Sequence, residues 1–224
     1  MLNEGIETIG EWAFFGCSLL ESFTFPSTVI SISDVAFWGC SNLRVVVLNE
    51  GIQTIGGEAF DRCLSLESIR FPSTVISIRY GAFSGCRSLR EVVLNEGIQT
   101  IGDGAFHGSS SLEKITFSST VVSISDGAFH CCTSLREVVL NEGIQTIGEQ
   151  AFQDCSSLRY FQFADISKRY AAIRDIITVE CQEQIENFVM MSNHQMLVLL
   201  SFESPHLAQS PSNSSNLGMP YDQY

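Results

Sequence analysis

The sequence predicts an α/β repeat solenoid: about seven turns of 23 residues with short parallel strands, closed by a C-terminal helix. Three observations carry this. The dipeptide Ala-Phe recurs with its Phe at positions 14, 37, 60, 83, 106, 129 and 152, always 23 residues apart. Apolar columns stay in register with it throughout. After Phe163 the period stops, and apolar residues follow at spacings of three and four.

The strand comes first. Six residues after each Phe stands Leu20, Leu43, Leu66, Leu89, Leu112, Leu135 or Leu158. Three further on is Phe23, Val46, Ile69, Val92, Ile115, Val138 or Phe161, and two beyond that is Phe25, Leu48, Phe71, Leu94, Phe117, Leu140 or Phe163. This alternation, rich in β-branched and aromatic residues, reads as a short strand. One such strand cannot bury its apolar side alone. Copies stacked at about 4.8 Å can, giving a rod or arc on the order of 30 Å long.

The turn follows the strand, in two alternating forms. One reads "LNEGIQTIG", the other "FPSTVISI" or "FSSTVVSI". Gly tolerates positive φ and Pro fixes φ, so both are turn chemistry. Each leads into an Ile-x-x-Ile segment, with Ile9, Ile32, Ile55, Ile78, Ile101, Ile124 and Ile147 five residues before the Phe. The alternation explains why "LREVVLNEGIQTIGDGAF" (89–106) returns almost unchanged at 135–152.

These columns resemble the BspA-like, or treponemal-type, leucine-rich repeat, whose unit reads roughly Ile-x-x-Ile-x-x-x-Ala-Phe-x-x-Cys-x-x-Leu-x-x-[IV]-x-[LF]-Pro. Val75, Ile78, Ala82, Phe83, Cys86, Leu89, Val92 and Leu94 follow it. The resemblance covers residues 2 to about 163. It departs where Pro is expected after the strand, which only Pro26 and Pro72 keep. It implies a leucine-rich-repeat-like stack that serves as a binding scaffold and has no family active site, so no catalytic, cofactor-binding or metal-binding residue is carried over.

Three residues after each Phe comes Cys17, Cys40, Cys63, Cys86, Ser109, Cys132 or Cys155. Unpaired Cys packs as a small hydrophobe, so this column reads as a buried ladder. Reduced thiols in that number favour a reducing compartment, and the expected location is cytoplasmic. A longer natural N-terminus would place the protein at the cell surface or outside. One residue after the Phe, His107 and His130 fall on successive turns next to Cys131. Their plain reading is a solvated, variable column, and their sharper one an adventitious Zn²⁺ or Cu²⁺ site. Asp103 and Asp126 are aligned in the same way and read as surface.

The net charge of -13 opposes binding to nucleic acid or to anionic membrane. No apolar run is long enough to span a bilayer. "GDG" at 102–104 lacks the remainder of a dinucleotide fingerprint, and there is no Walker-type Gly-Lys-Ser. The expectation is a non-enzymatic protein-interaction scaffold without a cofactor. The alternatives are a secreted or surface adhesin that binds carbohydrate or host protein, and a truncated repeat copy without retained activity.

The candidate partner-binding residues are the outward strand positions Val45, Val47, Arg70, Glu91, Val93, Lys114, Thr116, Glu137, Val139 and Tyr160. To these the sequence adds an aromatic patch in the first two turns, Trp12, Phe15 and Trp38. The residue after each Leu alternates in sign over Glu21, Arg44, Glu67, Arg90, Glu113 and Arg136, which predicts a cross-strand charge ladder. Glu4, Glu50, Glu96 and Glu142 recur in every second turn as an acidic edge. The first turn has no capping segment before it, which admits end-to-end self-association.

The division expected is a repeat array over 1–163, a helical cap over 164–192 and a mostly disordered tail over 193–224. Asp165 would cap a helix whose apolar stripe is Ile166, Tyr170, Ile173, Ile177, Cys181, Ile185 and Phe188. The tail is rich in Ser, Asn and Pro and contains a glycosylation sequon at Asn213, meaningful only in a secreted chain.

Overall fold

A computed structural model describes residues 4–163, 189–191 and 197–199. The first segment is a parallel β-solenoid in which every 23-residue unit makes one turn. The predicted strands are present. Ser22–Thr24, Val45–Val47, Ser68–Arg70 and Glu91–Val93 pair side by side. Lys114–Thr116, Glu137–Leu140 and Tyr160–Phe163 continue as a second group. Every pairing matches equivalent positions of successive units, such as Ile69 with Val92 and Val138 with Phe161.

A further sheet runs along the Ile columns. Thr8–Ile9, Ser31–Ile32, Thr54–Ile55, Ser77–Ile78, Thr100–Ile101, Ser123–Ile124 and Thr146–Ile147 form one seven-stranded parallel sheet. Two residues are too few to show alternation in a sequence, which is why this sheet was not expected. Between the sheets lies the Phe column. Its rings stack from Phe14 to Phe152 with centroids 4.7–5.5 Å apart and planes within 11°. That spacing is close to the separation of paired strands, so ring stacking and strand pairing proceed in step. In every second turn another ring, Phe71 or Phe117, meets the stack edge-on at 90°.

The α/β expectation is corrected: the described residues contain strands and turns but no helix. The backbone gives the reason. In all seven turns the residues two before and two after the central Phe have positive φ, from Trp12 and Gly16 through to Gln150 and Asp154. A helix needs an unbroken run of right-handed residues, and two left-handed ones so close together forbid it. The segment is instead a chain of four-residue turns. Cys63 N–H donates to the Phe60 carbonyl at 3.2 Å and Leu66 N–H to Cys63 at 3.1 Å. Intervening amides bond across to the next unit: Glu58 N–H to Tyr80 at 2.8 Å, Phe60 to Ala82 at 2.8 Å, Arg62 to Ser84 at 2.8 Å. The curved side thereby gains its own inter-turn ladder without helical structure.

The thiol column is buried from Cys40 onward and its cysteines are thiols. Each side chain donates to the Phe carbonyl of the preceding turn: Cys63 to Phe37 at 3.3 Å, Cys86 to Phe60 at 3.3 Å, Cys132 to Phe106 at 3.2 Å. Ser109 does the same toward Phe83 at 3.3 Å, so hydroxyl and thiol are interchangeable there. Burial pushes the Cys86 and Cys132 thiols well above their usual range, which keeps the donor proton in place.

The two turn forms interlock. The Asn49 amide donates to the Val29 carbonyl at 3.1 Å and to Pro26, and its oxygen accepts from Gly51 N–H. In the other direction Thr74 donates to the Ile52 carbonyl at 2.6 Å and Thr120 to Ile98 at 2.9 Å. Thr120 also accepts from Gly97 N–H at 3.0 Å. Gly97 has φ of +126, and a Cβ there would overlap the Ser73 carbonyl oxygen. Each form therefore supplies what its neighbour of the other form lacks.

The helical cap expected over 164–192 lies outside the described residues except at Val189–Met191. Those three are a strand, paired antiparallel with Leu197–Leu199, in place of the last residues of the expected helix. Apart from Leu197–Leu199, the expected disordered tail over 193–224 also lies outside the described residues.

Candidate interaction surface

The longer strands place alternate residues inward and outward, and the outward ones form two registered columns. Val45 stands beside Ser68, Arg70 beside Val93, Thr116 beside Val139, and Glu137 beside Tyr160. Val45 is 50% exposed, Val47 48% and Tyr160 54%, while Val93 and Val139 are half-buried. Glu91, Arg70, Lys114 and Thr116 are exposed. Lys114 and Glu137 pair with each other at 2.8 Å, so two of the expected contact residues neutralise one another. In the neighbouring charge ladder the Arg44–Glu67 rung closes at 2.7 Å, the one rung that does so among the described residues. Both partners are solvated, so the rung adds little stability. The result is an electrically quiet face with half-exposed valines and a tyrosine.

The acidic edge is built into the turns. Glu4 accepts from the Ser27 hydroxyl at 2.9 Å, and Glu96 accepts from the Ser119 hydroxyl at 2.8 Å and its backbone N–H at 3.2 Å. The Ser119 hydroxyl, followed by its amide, holds the Glu96 carboxyl below the usual range. These glutamates cap the following turn.

The aromatic residues of the first turns do converge. Trp12 and Phe15 lie 5.0 Å apart, and Phe15 stacks on Trp38 at 4.8 Å with an interplanar angle of 8°. Trp38 donates its indole N–H to Asp61 at 2.8 Å and carries the Arg62 guanidinium over its ring at 5.3 Å. Trp12 is 56% exposed and Phe15 45%.

Further along the curved side is a groove of about 470 Å³ lined by Glu58, Asp61, Tyr80, Ser84, Asp103 and His107. Asp61 and His107 each stand one residue after a column Phe, and the packed turns bring Glu58 and Asp103 beside them. His107 and His130 rings are 5.1 Å apart, and ligand atoms of His107, His130 and Cys131 all lie within 4.8 Å of one another. Asp103 and Asp126 remain on the surface, as expected; Asp126 accepts from Glu149 N–H at 2.8 Å.

The family model for the BspA type leucine rich repeat region matches the chain in six copies, over residues 1–86 and 53–173. The chain belongs to the BspA-type leucine rich repeat family. Among solved structures it is similar to a leucine rich repeat protein of T. pallidum, at 34% identity and a TM-score of 0.66, over 70% of this chain and 74% of that one. It is also similar to a leucine-rich repeat protein of Eubacterium ventriosum, at 25% identity and a TM-score of 0.55, over 67% of this chain but only 40% of that one. No curated protein matches the chain.

Seen as a BspA-type array, the chain's departures from the family pattern acquire a reason. Where Pro is missing after the strand, Asn49 and Asn141 occupy the place. Their amides reach back to the carbonyls of the preceding turn, Pro26 and Val29 for the first, Ser118 and Val121 for the second. The turn that Pro would have stiffened is held by side-chain hydrogen bonds instead.

Proposed function

We propose that this BspA-type chain is a non-enzymatic protein-interaction scaffold whose docking surface is the solvent face of the longer strands. The carrying observation is the pair of outward columns, with Val45, Val47, Val93, Val139 and Tyr160 partly exposed among charges that cancel. Such a face suits contact with a protein and offers nothing to a phosphate backbone or an anionic membrane surface. Membership in a family of repeat scaffolds supports the same reading, and the buried reduced thiol column favours a cytoplasmic, reducing location. No helix among the described residues is long and apolar enough to cross a membrane.

The test is site-directed photo-cross-linking in cells of origin. A photoreactive residue at Val47 or Val139 captures a protein partner, whereas one at Arg87, exposed in a turn outside the strands, does not. Capture at Arg87 with none on the strand face overturns the proposal. A second reading, an adhesin that takes carbohydrate, rests on the Trp12–Phe15–Trp38 platform with Asp61 at its rim. Saturable quenching of tryptophan fluorescence by oligosaccharides, lost in Trp12→Ala, favours it over the strand face.

A further inference from the structure

The cluster at turns five to seven carries a non-glycine left-handed residue after the Phe on two successive turns. The residue two after each Phe always has positive φ; glycine fills that place at Gly16, Gly39, Gly85 and Gly108, and Arg62, at φ of 57, in the third turn. Cys131, at φ of 60, and Asp154, at φ of 57, occupy it on successive turns. A side chain in the left-handed region is strained, and such strain collects where a side chain is needed at that spot. The Asp154 carboxylate meets both neighbours: its Oδ2 is 2.9 Å from His130 Nε2 and 3.8 Å from Cys131 Sγ. His107 completes the group from the turn before. The adjoining groove brings Glu58, Asp61 and Asp103 up to His107, so the local field favours a cation.

We propose that His107, His130 and Cys131 form a binding site for a borderline divalent transition-metal ion of the zinc class, with Asp154 as the positioning carboxylate. Two imidazoles and a thiolate are the donor set such an ion prefers over oxygen-only sites. The ligand atoms have to close by about 1 Å to reach tetrahedral spacing, a matter of rotamer adjustment for one exposed and two half-buried side chains. His130 uses Nε2 toward Asp154, which leaves Nδ1 for the metal, the usual carboxylate–histidine–metal arrangement. Binding forms a metal–sulfur bond and releases the Cys131 thiol proton to solvent. The fourth position is left to water. An ion held this way bridges turns five and six directly and turn seven through Asp154, and so clamps the stack where its backbone is strained.

The test uses Co²⁺ as the probe on the full chain. One equivalent is expected to give tetrahedral visible bands and a thiolate-to-cobalt charge-transfer band, both displaced by Zn²⁺. Cys131→Ser and His107→Ala abolish the charge-transfer band or its saturation at one equivalent, while Cys17→Ser leaves it unchanged. Asp154→Asn keeps the band but weakens binding by about 10–100-fold, as expected for a carboxylate acting through a ligand. Far-ultraviolet circular dichroism of each metal-free variant confirms that it is folded. The proposal is overturned if the folded wild type shows no sulfur charge transfer, or if Cys131→Ser keeps it. It is likewise overturned if Cys17→Ser removes it, or if Asp154→Asn leaves the affinity unchanged.

Discussion

At the scale of single residues, the left-handed positions matter most. Seven of the fourteen are not glycine: Trp12, Val35, Glu58, Arg62, Cys131, Gln150 and Asp154. Most have a contact to offset the strain, as Arg62 does on Trp38. Gln150 is exposed at φ of 57, and its side chain has the least to lose. Gln150→Gly is therefore expected to stabilise the chain by about 0.5–1 kcal/mol in urea denaturation, and Gln150→Val to destabilise it. The buried thiols give a second prediction. Cys86→Ser keeps a second donor for the Phe60 carbonyl, as Ser109 does for Phe83, whereas Cys86→Ala leaves that carbonyl with the Cys63 N–H alone. The alanine variant is expected to lose about 0.5–1.5 kcal/mol and the serine variant less; equal losses would mean that the column is a matter of volume alone.

At the scale of elements, the acidic turns act as pH-dependent caps. Because the Glu96 carboxyl sits below its ordinary value in the folded chain, its contribution is fully present above the unfolded value. That contribution is lost as pH falls through the lowered folded value. The stability difference between wild type and Glu96→Gln should thus be seen at neutral pH and vanish in acid; a gap that persists in acid would contradict the capping role. The elements also show how much of the fold could be read from the sequence. Columns that recur every 23 residues gave the strand, the Phe stack and the thiol ladder, because each inward position is repeated seven times. The helical reading of the C-terminal stripe has only one copy, and its end at Val189–Met191 is a strand. The absence of helix on the curved side was legible in principle, since Gly16, Gly39, Gly85 and Gly108 mark a left-handed position. The missed two-residue strands carry no alternation of their own and are visible only as paired partners. Of the candidate surface, the columns were legible, but Lys114–Glu137 pairing and the groove around Tyr80 depend on packing between turns.

At the scale of the whole molecule, the repeating unit is a pair of turns. Asn-Glu-Gly turns reach back to Pro-Ser-Thr-type turns, and those reach back in return, so neighbours of unlike form satisfy each other's backbone. Hydroxyl pairs follow the same alternation, with Ser31 on Thr54, Ser77 on Thr100 and Ser123 on Thr146, each at 2.8 Å. In solenoids, stability is a sum of unit terms and nearest-neighbour terms, and here the neighbour terms depend on alternation. The interaction face inherits this order, since its outward columns stay registered only while the turns do.

The most direct measurement compares two deletions by urea denaturation. Removing residues 72–94 takes out one turn and sets the Asn49 turn against the Asn95 turn, placing Glu50 next to Glu96. Removing 72–117 takes out two turns and restores the alternation at the junction. The paired account predicts that the shorter protein, with residues 72–117 removed, is the more stable of the two. A single-turn deletion that is equally or more stable would show that the turns are interchangeable and that the pair is not the unit of this fold.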